Sequence, residues 1–447
     1  MTRFVKSLRR SRFRLLVWRW RLMLWVGALT VGLAAILFAE AALRADHLFR
    51  WLAGMHPLVP FVVTPAGFAA VVWGTRRFFP GAEGSGIPQT IAALQLPQIA
   101  QRRSVMSVRI AAAKIALTSL ALASGASVGR EGPTVQIGAA LMHTMGRIVR
   151  LPQGQIDRTL ILAGGAAGIA AAFNTPLAGI VFAIEELSRS FEERTSGTVL
   201  TAVIIAGLTS MALVGNYTYF GHSSATLPFA EIWKVVLVCG VAGGLLGGGF
   251  SRILTTFAAG LPGRAGEVVK AHPIRVAALC GLGMAVLGAL SGNTIYGTGY
   301  DEARTLIEQS GTLPEAFGLM KLAATVLSYL SGLPGGIFAP SLAVGAGLGD
   351  WLAGMFQLPL AATIILGMAA YFTGVVQVPI TAVVIVMEMT DNHDLILPLM
   401  ASSFIAFAVS RFVCPKPLYR SLAQGFLLRA GRREPRPALP PPTATAP

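Results

Sequence analysis

The chain is poor in cysteine and in charge. Its three cysteines, Cys239, Cys280 and Cys414, lie far apart with no CxxC or zinc spacing. They read as small packing residues, which excludes a disulfide scaffold and a thiolate metal site. The six histidines (His47, His56, His143, His222, His272, His393) form no HExxH or paired motif, so no metal, redox group or cofactor is expected. Charged residues make up 13% of the 447 positions, about half the ~25% usual in soluble domains, while hydrophobic residues reach 54%. That balance excludes both an ordinary soluble domain and a disordered chain.

Long uncharged runs take the place of charge. Leu22–Ala39, Trp51–Thr75, Thr159–Ile184, Thr195–Ala230, Val276–Tyr300, Leu322–Gly349 and Trp351–Met387 contain no Asp, Glu, Lys or Arg. A membrane-crossing helix needs roughly 17–25 mostly apolar residues, so these runs predict an all-α polytopic membrane protein. A barrel would show alternating segments of about ten residues instead.

The net charge of +16 sits largely at the ends. The first 21 residues carry eight arginines and lysines before any acid, and the end from Arg411 is similarly basic. Basic flanks stay cytoplasmic, so both termini are expected there, in contact with anionic lipid. Apart from charge, nothing supports nucleic-acid binding. Residues 1–21 read as a basic interfacial helix and Leu22–Ala39 as a retained first membrane helix, longer than the ~7–15 residues of a signal's apolar core. Arginine far outnumbers lysine and alanine is abundant, a composition that suggests a GC-rich bacterial genome, and the expected location is a bacterial inner membrane. The expected transport domain spans 22–428. A short Pro-rich disordered tail, 429–447, follows it, with no room for a C-terminal regulatory domain.

The transport domain reads as two repeated halves, roughly 22–215 and 229–428. Ser124-Gly125 precedes Pro133 as Ser331-Gly332 precedes Pro340, and Gly138-Ala139 and Leu141 match Gly345-Ala346 and Leu348. Pro176 lies nine residues before Glu185, as Pro379 does before Glu388. The shift between halves is 207 in the first block and 203 in the second. Duplicated halves with matching Gly/Pro interruptions are a transporter signature. Whether the repeat is inverted or parallel is not legible here.

Three Gly/Pro-bracketed segments carry the chemistry: Gly84-Ser85-Gly86-Ile87-Pro88, Gly129-Arg130-Glu131-Gly132-Pro133 and Gly335-Gly336-Ile337-Phe338-Ala339-Pro340. Proline is favoured in the first helical turn, so each reads as a helix start. Free N–H groups at such a start carry partial positive charge and suit an anion. Neutral dipoles would hold a weakly basic anion loosely enough to let it go. Glu131 lies in one of these starts. An ionisable residue at membrane depth is functional by default. Ionised, its carboxylate can sit in the anion site itself; protonated, it leaves and an anion can enter. A salt bridge to adjacent Arg130 is the bland alternative, and neighbours on a helix point apart. Glu185-Glu186 reads either as a pair of interfacial acids opening a loop or as a proton station.

Together these segments resemble the CLC family of chloride channels and chloride/proton exchangers, through its GSGIP, G(K/R)EGP and GxFxP motifs. Lys416-Pro417-Leu418-Tyr419 resembles the family segment with an anion-coordinating tyrosine. The resemblance spans roughly Leu22 to Leu428. It implies an inverted-repeat fold of about eighteen tilted or broken helices and a homodimer with one pathway per subunit. It also implies that Ser85, Tyr419 and the amides of Ile337 and Phe338 hold chloride, supported by the backbone at Gly84, Gly86, Arg130, Gly132 and Gly336. Glu131 would be the gating glutamate. Glu186, the second acid after Pro176-Leu177-Ala178-Gly179, would be the internal proton glutamate that passive channels commonly lack. Ser85 favours chloride over fluoride. Gln89 stands where close relatives often have an acid, and the cytoplasmic CBS pair of eukaryotic members has no counterpart. The expected activity is chloride/proton antiport. The rivals are a passive chloride channel and, remotely, a membrane-embedded enzyme using Glu131 with Glu185 or Glu186 as acid and base.

Overall fold

The structure is a computed structural model that describes residues 2–149, 155–188, 193–215 and 218–431. The expected Pro-rich tail lies outside the described residues from position 432 onward.

The first half comprises α1 (Thr2–Met55), α2 (Val59–Phe78), α3 (Ile87–Gln95), α4 (Ile99–Arg103), α5 (Val108–Leu122), α6 (Glu131–Ile148), α7 (Gln155–Phe173), α8 (Pro176–Phe182) and α9 (Glu193–Val214). A π-helical turn, Ala183–Ser188, continues α8. The second half comprises α10 (Phe229–Ala259), α11 (Gly263–Ala271), α12 (Pro273–Leu290), α13 (Tyr300–Glu308), α14 (Phe317–Leu330), α15 (Phe338–Phe356), α16 (Leu360–Val376), α17 (Pro379–Thr390), α18 (Ile396–Val413) and α19 (Leu418–Gly431). Among the described residues, six stretches of helix are long and apolar enough to cross a membrane: Val17–Met55, Ile99–Leu122, Gly197–Val214, Phe229–Ala259, Pro273–Leu290 and Ile396–Val413.

The two segments expected at the N-terminus merge into one helix, α1. No proline interrupts it before Met55, and proline is the usual helix breaker. Its buried stripe, Leu24, Ala28, Val31, Ala35, Phe38, Ala42, Ala45, Phe49 and Ala53, recurs every three or four residues. That spacing keeps one face turned inward. The other face, including Trp25, Leu29, Leu33 and Leu37, is exposed and apolar, as a lipid-facing surface must be.

The packing is laid out twice. In the first half, α1 packs on α9 and α7, α6 on α7, and α5 on α6. In the second half, α10 packs on α18 and α16, α15 on α16, and α14 on α15. Matched glycines lie where α6 crosses α7 and where α15 crosses α16. A methyl on Gly138 would fall on the Gly164 carbonyl, and one on Gly345 would lie 2.7 Å from the Gly367 carbonyl oxygen. Without lipid-excluding pressure between helices, such small-residue contacts are what bring membrane helices together. The links match too. Asn174 (φ 58°) and Gln377 (φ 59°) break α7 from α8 and α16 from α17 in the same left-handed conformation. The halves are inverted with respect to one another, and α8 and α17 meet antiparallel, each lying with its end against the other's start.

Candidate anion and proton site

Two backbone bridges bring the three Gly/Pro segments together. Gly129 and Gly336 exchange hydrogen bonds in both directions, each 2.7 Å, and the Gly335 N–H donates to the Gly84 carbonyl at 3.1 Å. Glycine is required because the segments touch. A methyl on Gly132 would fall on the Ser85 hydroxyl, and one on Gly86 would lie 2.7 Å from the Gly132 carbonyl oxygen. The segments lead into α3, α6 and α15 as expected, and the N-cap residues of α6 and α15, Arg130 and Ile337, do not cap them with their own side chains. Their starts therefore present free N–H groups around one buried locus.

Glu131 is the first residue of α6 and is fully buried. Its carboxylate faces the start of α15, within electrostatic reach of the Ala339 N–H, and its Oε2 closes no hydrogen bond among the described residues. The Tyr219 hydroxyl donates to its Oε1 at 3.4 Å. The carboxylate thus stands where the two halves of the molecule meet. The Arg130 guanidinium lies over the Tyr219 ring at 5.7 Å, within electrostatic reach of the carboxylate.

Ser85 and Tyr419 sit in the same locus. Both are buried, and neither hydroxyl has a hydrogen-bond partner among the described residues. The Tyr419 hydroxyl faces Ser85 without closing a bond to it. Its ring stacks on Phe338 at 6.1 Å, and Phe338 is held in turn by Phe173, Phe182 and Phe372. Ile337 is the N-cap of α15, and its carbonyl is taken by the Ser341 N–H, so its own N–H points back toward the Gly/Pro segments. Two buried hydroxyls without protein partners are costly and fit an anion's need for donors.

Glu186 is fully buried in the π-helical turn. It stands apart from the three segments and meets them through Tyr419, which lies within electrostatic reach of both Glu186 and Glu131. Glu185 does something the sequence did not suggest. Its carboxylate takes the N–H groups of Ile380 (3.2 Å) and Thr381 (2.6 Å) and the Thr381 hydroxyl (2.7 Å), capping α17. Glu388 reciprocates at α8, accepting from Leu177 (3.2 Å) and Ala178 (2.7 Å). The two acids continue a helix rather than opening a loop, because the chain winds on past α8 as a π turn.

Sequence reading also missed the support beneath Ser85. Buried Lys114 donates to the carbonyls of Ala82 (2.8 Å), Glu83 (3.3 Å) and Gly84 (2.6 Å). Gln89 takes the Gly86 N–H at 3.1 Å and donates to Gly81 and Glu83, and Gln136 donates to Gly81 and Val105. Gln89 therefore both gives and accepts, which an ionised acid in that place could not do. The repeat contained the signal. Lys114 and Lys321 are 207 residues apart, and Lys321 caps the carbonyls of Ile295, Tyr296 and Gly297 in the same manner.

A helical membrane protein of two inverted halves, with helix starts from both converging on one buried polar locus, is a polytopic transport protein in its architecture. The sequence profile described as voltage gated chloride channel matches residues 67–411. A curated H(+)/Cl(-) exchange transporter, ClcA of Salmonella arizonae, is 31% identical over 441 residues, covering 92% of this chain and 90% of that protein. The crystal structure of a slow cyanobacterial Cl-/H+ antiporter superposes with a TM-score of 0.76 at 26% identity, covering 92% of this chain and 99% of the other. A CLC-type fluoride/proton antiporter shares the fold, with a TM-score of 0.74 at 24% identity, covering 89% of this chain and 97% of the other. The chain belongs to the voltage gated chloride channel (CLC) family.

Proposed function

We propose that this chain is a secondary antiporter exchanging chloride for protons. The observation that carries the reading is the fully buried Glu131 carboxylate facing the start of α15, beside the two unpartnered hydroxyls of Ser85 and Tyr419. An ionised carboxylate on a helix start stands where an anion would stand. Protonation removes its charge and its hold on those dipoles. The side chain then swings off, carrying the proton, and chloride takes the amides of α15 with the hydroxyls of Ser85 and Tyr419. Chloride departing restores the seat, and Glu131 gives up its proton as it returns. Glu186, beyond Tyr419, is the second proton station. The exchange activities named for the Salmonella and cyanobacterial relatives support this reading.

We place the protein in a bacterial inner membrane with both termini cytoplasmic, working as a homodimer. Its acids serve transport, and no chemical turnover is assigned to them.

The test is proton movement in proteoliposomes under a chloride gradient. Uphill proton movement in the native chain, lost in both Glu131→Ala and Glu186→Ala while chloride flux persists in Glu131→Ala, supports exchange. Chloride flux with no pH change makes the protein a passive channel. Uphill pumping by Glu131→Ala overturns the gate assignment.

A further inference from the structure

A cavity of about 210 Å³ stops one side chain short of Glu131. Its walls include Glu40 and Asp46 of α1, Tyr300 and Asp301 of α13, Arg130 and Tyr219, but not Glu131. Tyr219 stands between the two. Its ring lines the cavity, and its buried hydroxyl reaches Glu131.

The hydroxyl is aimed by its surroundings. Edge contacts to Phe173 (5.6 Å), Phe220 (5.1 Å) and Tyr300 (4.7 Å) box the ring, and the Arg130 guanidinium covers it. The backbone beside it is tied to the end of α17. The Phe220 N–H donates to Met389 at 2.8 Å and the Ser223 N–H to Thr390 at 3.0 Å. A loop residue thus meets the first residue of α6 in one fixed geometry.

We propose that Tyr219 is a positioning residue for Glu131. Its hydroxyl holds the ionised carboxylate in its seat, and so sets the proton concentration on the cavity side at which that seat is given up. The proposal rests on the exchanger reading above. An O–H donor binds a carboxylate more strongly than a carboxylic acid. Removing the donor lets the side chain leave at a lower proton concentration.

Other charged groups around Glu131 stay constant in the comparison. They are Arg130 on its own helix, Glu40 and Asp46 from α1, Asp301 from α13 and Tyr419 from α19. Glu40 is paired with Arg44 and Asp46 with Arg50, at 2.8 and 2.9 Å. From α7 and α15 the neighbours are Phe173, Phe338 and Ala339, none of which titrates.

The experiment uses the full chain in proteoliposomes and follows chloride-driven proton uptake while the pH of each side is varied in turn. Tyr219→Phe keeps the ring and removes only the hydroxyl. It should raise the half-maximal pH by about half to one unit on one side of the membrane alone. Replacing Tyr219 with a fluorinated, more acidic tyrosine should lower it. In a Glu131→Gln background, Tyr219→Phe should change chloride flux no further, whereas a merely structural tyrosine would still disturb it. An unmoved midpoint, an equal shift on both sides, or an added effect in the Glu131→Gln background overturns the proposal. A native chain that moves no protons overturns the exchanger reading, and the proposal falls with it.

Discussion

Gly129 and Gly336 hold the same place in the two halves, and they hydrogen-bond to each other in both directions at 2.7 Å. An antiparallel exchange of this kind has local two-fold symmetry, so the pseudo-symmetry axis of the duplication passes between them. Two residues beyond each glycine a helix begins, at Glu131 in one half and Phe338 in the other. The scaffold around the axis is symmetric and the chemistry is not. One half supplies a carboxylate. The other supplies an aromatic wall and the start of α15 that the carboxylate faces.

The paired lysines should separate under mutation. Lys114→Met leaves three carbonyls at 82–84, one buried and two part-buried, without that donor, a loss of about 1–3 kcal/mol. Because that loop carries Ser85, chloride affinity should fall along with stability. Lys321→Met should cost comparable stability through the 295–297 loop and leave chloride affinity unchanged. Thermal unfolding in detergent and chloride titration calorimetry on both variants check this. Equal affinity losses would contradict it.

The crossed caps should be unequal. Glu185 accepts three hydrogen bonds from α17, whereas Glu388 accepts two from α8. Loss of a helix N-terminal acceptor costs about 0.5–2 kcal/mol. Glu185→Ala should lower the unfolding midpoint more than Glu388→Ala does, and Thr381→Val, measured alone, should show part of the Glu185→Ala loss. Midpoints read by size-exclusion chromatography after heating rank the three.

Gly138 and Gly345 should refuse alanine in parallel. Each added methyl meets backbone of the neighbouring helix, which cannot yield as a side chain can. Overpacking costs about 1–3 kcal/mol, enough to reduce the yield of folded protein in either variant. Gly249 in α10 has nothing within 4 Å of the added methyl, so Gly249→Ala should be neutral or stabilising by up to about 1 kcal/mol. Detergent-extracted yield compared across the three variants is the readout.

The two bare hydroxyls should each contribute to anion binding. Ser85→Ala and Tyr419→Phe remove one donor apiece from the same locus. A hydrogen bond to a charged partner is worth about 1.5–3 kcal/mol, so each variant should weaken chloride binding by about tenfold or more, and the double variant further. Calorimetry measures both. An unchanged affinity in the double variant removes these residues from the anion site.

The architecture was legible because membrane constraints act on local sequence. Uncharged runs mark helices, Gly-x-x-x-Pro punctuation marks helix starts, and the repeat shows in the fixed offsets from Ser124 to Ser331 and from Pro176 to Pro379. The site was legible in its parts. All three Gly/Pro segments begin helices in the structure, and Ser85, Glu131, Phe338 and Tyr419 share one buried locus. Lys114, Gln136 and the crossed roles of Glu185 and Glu388 were not seen, because each acts on backbone far along the chain. The Glu185 partners lie 195 and 196 residues away.

By itself, then, the sequence determined what is encoded locally: a helical membrane protein, duplicated, with three helix starts suited to an anion and an acid in one of them. Only the tertiary structure decided what faces what. Inversion of the halves is a relation between distant segments, and no local period reports it. The same holds for the place of Glu131 against the start of α15 and for its contact with Tyr219. A carboxylate's partner is fixed by where two chain segments meet, and hydrogen bonds act over about 3 Å of space however much sequence lies between.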